Sequence, residues 1–174
     1  MAHAAAAARS GLPSVRHNRV SDPASPLPRF GRALRVTPPS QPPVHFSRLL
    51  CDRLCAEASA QPEREICGLI GARAGRAVSH YPIRNGATDP RRRYAMDPAA
   101  QIAAFKLMRA REETLAAIYH SHPDGAPIPS PRDAREWTYP EALCLIVGLA
   151  GGTPELRAWR WTGQGFAAVV LPDD

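Results

Sequence analysis

Leu115-Ala116-Ala117-Ile118-Tyr119-His120-Ser121-His122-Pro123 runs from an apolar segment straight into a pair of histidines and stops at a proline. A short apolar run with Ile and Tyr predicts a strand over 115–120. Side chains at i and i+2 of a strand share a face, so His120 and His122 project to the same side as the strand runs out. Residues 123–129 hold three prolines and a glycine and read as a loop. Ser130-Pro131 then starts a helix, a hydroxyl at the N-cap before proline at the first helical position, running to Trp137. Asp133 sits in the first turn of that helix, and the loop can fold it back toward the strand end.

The flanks fill in the fold. Downstream, Leu143 to Leu149, Leu156 to Trp161 and Phe166 to Leu171 read as strands separated by Gly151-Gly152 and Gly163-Gln164-Gly165. Upstream, Asp97-Pro98 starts a helix that runs to about Glu113 and buries Ile102, Phe105 and Met108, with Tyr94 to Met96 as a short strand before it. Ile66 to Ala72 and Val78 to Ile83, joined about Gly75, read as a hairpin. The first element is a helix from about Phe46, with Phe46, Leu49, Leu50 and Leu54 on one face, ending before Pro62. The order α, ββ, β, α, β, α, βββ predicts a mixed α/β domain in which a central mixed β-sheet is flanked by helices.

Composition bounds the partners. At 174 residues the chain fits one domain. Aromatics are only 6% of residues, so the core must come from Ala, Leu, Ile and Val. Six arginines against Asp22 place +5 of the net +6 charge in residues 1–45, so the basicity belongs to a tail and gives no case for nucleic-acid binding. Residues 1–44, rich in Ala, Pro, Ser and Arg and without periodicity, are expected to form a disordered tail, with the folded domain over 45–174. The tail has an alternative reading as translated sequence upstream of the functional start. The run Arg91-Arg92-Arg93 reads as a solvated loop or, more sharply, as a contact for an acidic partner or a chain terminus. Cys51, Cys55, Cys67 and Cys144 form no C-x-x-C pair, no apolar run reaches membrane-spanning length, and the N-terminus makes a poor secretory signal. A cytoplasmic protein with reduced thiols is expected.

The histidine pair alone is explained by surface or hydrogen-bonded imidazoles, Asp133 alone by the helix dipole, and Ser130 alone by capping. Taken together, two histidines and a carboxylate are a zinc ligand set that leaves a fourth position open for water, the arrangement of a catalytic rather than a structural site.

His120-Ser121-His122-Pro123, seven residues from His122 to Ser130 and two more to Asp133 resemble the signature of the JAMM (MPN-plus) metalloprotease family. Glu65-Ile66-Cys67-Gly68-Leu69 is similar to the family's upstream glutamate motif, and the resemblance spans about residues 46–170. The compact size and the Asn85 to Asp97 stretch look most like stand-alone bacterial members. The resemblance implies a JAMM/MPN, cytidine-deaminase-like architecture, one zinc ion per chain on His120, His122 and Asp133, Glu65 as general base, and Ser130 supporting the oxyanion. It also implies hydrolysis of an amide bond after the Gly-Gly of a ubiquitin-like sulfur-carrier protein of the ThiS/MoaD type. A carboxylate beside zinc-activated water can take its proton and pass it to the leaving amine, and a hydroxyl aimed at the oxyanion contributes about 3 kcal/mol.

Rivals are weaker on the residues. Glu63 competes with Glu65 for the base, and the motif selects Glu65. A zinc deaminase needs a Pro-Cys-x-x-Cys pair that is absent. A non-catalytic MPN-type scaffold is the alternative from another class, and its ligand residues are characteristically lost where here they are retained. Cys67 reads as a small buried residue, His80 as structural, Trp159 and Trp161 as packing on one sheet face, and His45 as part of the tail.

Overall fold

The computed structural model describes residues 44–171. The expected tail, residues 1–44, therefore lies outside the described residues apart from Val44, which packs against the core.

The elements are α1 (Arg48–Ser59), β1 (Cys67–Arg73), β2 (Arg76–Ile83), α2 (Pro98–Ala110), β3 (Thr114–His122), α3 (Pro131–Glu136), β4 (Leu143–Gly148), β5 (Glu155–Trp161) and β6 (Phe166–Val169). The strands form one sheet in the order β2-β1-β3-β4-β5-β6. Every neighbouring pair is antiparallel except β3 and β4, which run parallel. A parallel pair requires a crossover, and here it is the segment 123–142 carrying α3, so the sequence that makes the sheet mixed also supplies Ser130 and Asp133 of the expected site.

One core packs α1, through Leu54 and Ala58, on Ile70, Tyr119, Leu145 and Val147; the other packs α2, through Ala104 and Met108, on Leu69, Tyr81 and Ile118. Central β4, LCLIVG, is buried at every position, which explains its unbroken apolar run. The β1–β2 hairpin turns through Ala74 and Gly75, both at positive φ, the geometry that suits the twist of a two-residue hairpin loop.

Four expectations are corrected. Leu49 is 80% exposed, because Ser47 caps α1 and the buried line runs through Leu50, Leu54 and Ala58. Ile102 is also exposed, since α2 turns Ala100, Ala104, Phe105 and Met108 inward; the helix stops at Ala110, with Glu112 beyond it at positive φ. Tyr94 to Met96 make no strand, only an isolated bridge between Met96 and Asn85; the Ala95 N–H donates to the Asn85 side chain and its carbonyl accepts from the Gly86 N–H. His45 belongs to the ordered domain: its N–H donates to Gly75 and its carbonyl accepts from Ala77. Among the described residues no helix is long and apolar enough to cross a membrane.

Candidate active site

The structure brings the five residues singled out from the sequence to one place. His120 and His122 leave the end of β3 on the α2 face of the sheet, His120 fully buried and His122 partly so. Their Nε2 atoms are 3.0 Å apart. Asp133, returned by the crossover, puts Oδ1 3.5 Å from His120 Nε2 and Oδ2 3.9 Å from His122 Nε2. One ligand atom from each of the three lies within 4.8 Å of the others.

The donors are set for a cation. A carbonyl only accepts, so His122 Nδ1, 2.9 Å from the Ala126 carbonyl, must carry the hydrogen and leave Nε2 with its lone pair. Burial and the neighbouring His120 hold His122 below the usual histidine range and keep it neutral, against the Ala126 carbonyl and Asp133. Burial alone would raise the Asp133 carboxyl, but hydrogen bonds from His120 and Ser130 outweigh it and hold the group ionised. Asp133 is also the third helical residue of α3 in a capping box: Oδ2 accepts from the Ser130 N–H at 2.6 Å while its own N–H donates to Ser130 Oγ. Thus the cap orients the carboxylate, and Ser130 Oγ retains its own hydrogen to donate. Two imidazoles and an ionised carboxylate converging on one point fit a divalent zinc ion.

Glu65 is 5% exposed and lines the same cavity of about 650 Å³ as His122, Ser130 and Asp133. Burial, then the charges of Asp133 and Asp89, push its carboxyl up to about 8, with Arg132 opposing. Its rival Glu63 is exposed in the preceding turn. Cys67 is inert: buried, with its thiol pushed up to about 12 by burial and by Glu65, and donating to the Ile83 carbonyl. Gly68 completes that motif because a Cβ there would collide with the Tyr81 carbonyl and the Tyr119 hydroxyl.

Several supporting residues escaped the sequence reading. Asn85, buried at the end of β2, donates to the carbonyls of Glu65 (3.0 Å), Arg93 (3.0 Å) and Pro90 (3.4 Å), and accepts from the N–H groups of Ala87 and Ala95. It ties the Glu65 backbone to the 86–96 loop. Ser121, between the histidines but on the opposite face, is fully buried; its Oγ accepts from Ile66 N–H at 2.9 Å and its N–H donates to the Ile66 carbonyl. Tyr94 stacks on His120 with centroids 4.7 Å apart. Trp159 donates its indole N–H to the Pro127 carbonyl at 2.9 Å, pinning the loop whose Ala126 carbonyl holds His122. The only available signals were local: a serine where strand alternation points into the core, and an asparagine two residues past β2.

Residues 47–162 match the family model described as prokaryotic homologs of the JAB domain. A probable TtuB-protein conjugate cleaving protease from Thermus thermophilus is 37% identical over 132 residues, 74% of this chain and 83% of that protein. A desampylase from Haloferax volcanii is 29% identical over 116 residues, 66% of this chain and 81% of its own. A JAB1/MPN domain protein from Archaeoglobus fulgidus shares the fold at a TM-score of 0.51 and 15% identity, over 76% of this chain and 98% of that one.

Proposed function

From the fact that this chain belongs to the family of prokaryotic homologs of the JAB domain, and is a hydrolase of peptide or isopeptide bonds, we propose a zinc-dependent mechanism built on Glu65, His120, His122, Ser130 and Asp133. The observation that carries the reading is the convergence of His120 Nε2, His122 Nε2 and an Asp133 oxygen beside a buried glutamate in one cavity. His120, His122 and Asp133 would hold the ion, one per chain. Zinc there would supply Lewis acidity, which makes water a nucleophile near neutral pH.

The protein's own groups do the remaining work. Glu65 accepts the proton lost by the attacking water and returns it to the leaving nitrogen, from a buried position in the same cavity as His122 and Asp133. Ser130 donates its free hydroxyl hydrogen to the oxygen that gains charge as the carbonyl is attacked. His122, locked by Ala126, and Asp133, locked by the α3 cap, keep the donor set from rearranging during turnover.

The substrate in this reading is the amide bond after the Gly-Gly end of a ubiquitin-like sulfur carrier of the ThiS/MoaD type. The Thermus relative, named for cleaving TtuB-protein conjugates, supports that class. Two glycines give an extended tail slim enough to reach a donor set buried at a strand end. Residues 45–174 would carry the activity without the tail. Retention of all three donors speaks against the scaffold reading. The test is mass spectrometry of a carrier protein extended past Gly-Gly, incubated with zinc-loaded protein. Cleavage after the second glycine, lost on Glu65→Gln with zinc still bound, is the expected result; undiminished cleavage by the zinc-loaded variant overturns the assignment of Glu65.

A further inference from the structure

The ring of Tyr94 lies over His120, with centroids 4.7 Å apart and planes inclined at 27°, and the residue lines the cavity together with Glu65, His122, Ser130 and Asp133. Stacking accounts for the ring but not for the hydroxyl. That group has no hydrogen-bond partner among the described residues, and unlike the indole N–H of Trp137 it is not sealed from solvent. The phenols buried in the sheet are committed by contrast: Tyr119 pairs with His80 at 2.7 Å, and Tyr81 donates to Glu113 at 2.8 Å. Burial above all, and then Cys144, Asp133, Cys67 and Glu65, raise the Tyr94 hydroxyl above the ordinary phenol range, so its oxygen stands among the carboxylates of the centre.

The backbone under this side chain is fixed from both ends. Asn85 donates Nδ2 to the Arg93 carbonyl at 3.0 Å and accepts at Oδ1 from the Ala95 N–H at 3.1 Å, so one buried amide holds the two peptide groups that flank Tyr94. The same amide donates to the Glu65 carbonyl at 3.0 Å, which sets base and phenol from a single anchor. A donor that is rigid and unspent in the resting protein suits a transition state, because it neither reorganises nor gives up an internal bond when charge appears. Of the acceptors at the centre, Asp133 is engaged through Oδ2 with the Ser130 N–H and through Oδ1 with His120, and Glu65 keeps its lone pair for the proton of water. The oxygen of the attacked carbonyl turns from neutral to anionic and gains most from another donor. On the peptidase reading above, we propose that Tyr94 is a further catalytic residue, whose hydroxyl donates a hydrogen bond to that oxygen beside Ser130 and keeps its own proton throughout.

Tyr94→Phe keeps a ring over His120 and removes only the hydroxyl, which separates catalysis from stacking. With zinc-loaded protein and a carrier protein extended past Gly-Gly, kcat is expected to fall about a hundredfold and KM to stay within about threefold. The Tm and the zinc affinity, read by chelator competition, should match wild type. Binding gives a readout free of turnover: a phosphinic peptide, whose tetrahedral anionic group replaces the amide after Gly-Gly, should bind the variant on the order of tenfold more weakly or worse by titration calorimetry. The parent peptide should bind Glu65→Gln and Glu65→Gln/Tyr94→Phe proteins equally. A kcat within about threefold of wild type, or a fall in kcat matched by an equal fall in zinc affinity, overturns the proposal and leaves Tyr94 a stacking residue while the peptidase reading stands. No cleavage by wild type overturns both.

Discussion

Replacing Asn85 with aspartate exchanges an amide for a carboxyl of nearly the same shape at a buried hub, so the outcome isolates hydrogen-bond chemistry from packing. The acceptor side survives, since the Ala87 and Ala95 N–H groups still find an oxygen. The donor side does not: Nδ2 faces the carbonyls of Glu65 and Arg93 at 3.0 Å, and a carboxyl has at most one hydrogen to give. Protonated, the introduced group keeps one of those bonds and loses the other, about 1 kcal/mol. Ionised, it points negative oxygen at carbonyl oxygen in a buried position, so its folded pKa must rise above the unfolded value of about 3.9. A raised carboxyl pKa means relative stability is fully present below the unfolded pKa and lost as pH rises through the folded one. A rise of one to two units adds about 1.4 to 2.7 kcal/mol, for a total near 3 kcal/mol at pH 8 against about 1 kcal/mol at pH 4. At roughly 0.27 kcal/mol per kelvin for about 130 ordered residues, the Tm should fall by about 11 °C at pH 8 and about 4 °C at pH 4, each against wild type at the same pH. Urea unfolding and thermal melting at the two pH values measure it. A loss independent of pH, or less than about 1 kcal/mol at pH 8, would refute the hub assignment.

Glu65 gives a second pH signature: in metal-free protein its carboxyl is raised to about 8, so the stability of its protonated form is present below about pH 4.3 and lost as pH climbs through 8. Glu65→Gln should therefore match wild type most closely near pH 4 and melt higher than it at pH 8.5, and parallel melting curves across that range would contradict the burial argument. Asp133→Asn keeps an oxygen for the Ser130 N–H and so should preserve α3, yet it removes the ionised donor. Zinc at a hundredfold excess over Kd should stabilise wild type by about 2.7 kcal/mol and the variant by less than a third of that, read from the Tm shift on adding zinc. Gly148→Ala would drive a Cβ to within 2.5 Å of Pro127 N and 2.7 Å of Ala126 C, both backbone, so the loop must shift and carry the Ala126 carbonyl off His122. A stability loss of about 1 to 3 kcal/mol and a zinc affinity down about tenfold or more are expected, the latter by chelator competition.

Much of the fold was legible because the decisive signals are short-range. The strand that ends in His120-Ser121-His122 announces itself by apolar content, the α3 start by Ser130-Pro131, and the β1–β2 hairpin by two apolar runs about a glycine. The mistakes share a cause. Leu49 and Ile102 carry the right spacing for a buried face, but the helix rotates to bring smaller Ala58 and Ala104 against the sheet, a choice made by the packing partner and not by the helix sequence. In the segment Tyr94 to Met96 the central N–H, that of Ala95, is taken by a side chain ten residues away in sequence.

The candidate centre divides along the same line, and the division has a physical reason. A metal donor or a proton carrier must be one of a few residue types wherever it sits, so Glu65, His120, His122 and Asp133 leave a readable trace. The groups that hold them are mostly backbone: the Ala126 carbonyl on His122, the Glu65 carbonyl on Asn85, the Ile66 N–H on Ser121. Any residue supplies a carbonyl or an N–H, so selection for such a contact writes nothing at the residue that makes it. It writes instead on what lets the chain approach: Gly148, which leaves room for Pro127, and Trp159, whose indole reaches back across 32 residues to the Pro127 carbonyl. Substitutions at those two positions should therefore loosen His122 without touching any atom of the donor set, and the zinc affinity of a Trp159→Phe variant, which stays aromatic but loses the indole N–H together with one ring of the indole, tests that claim.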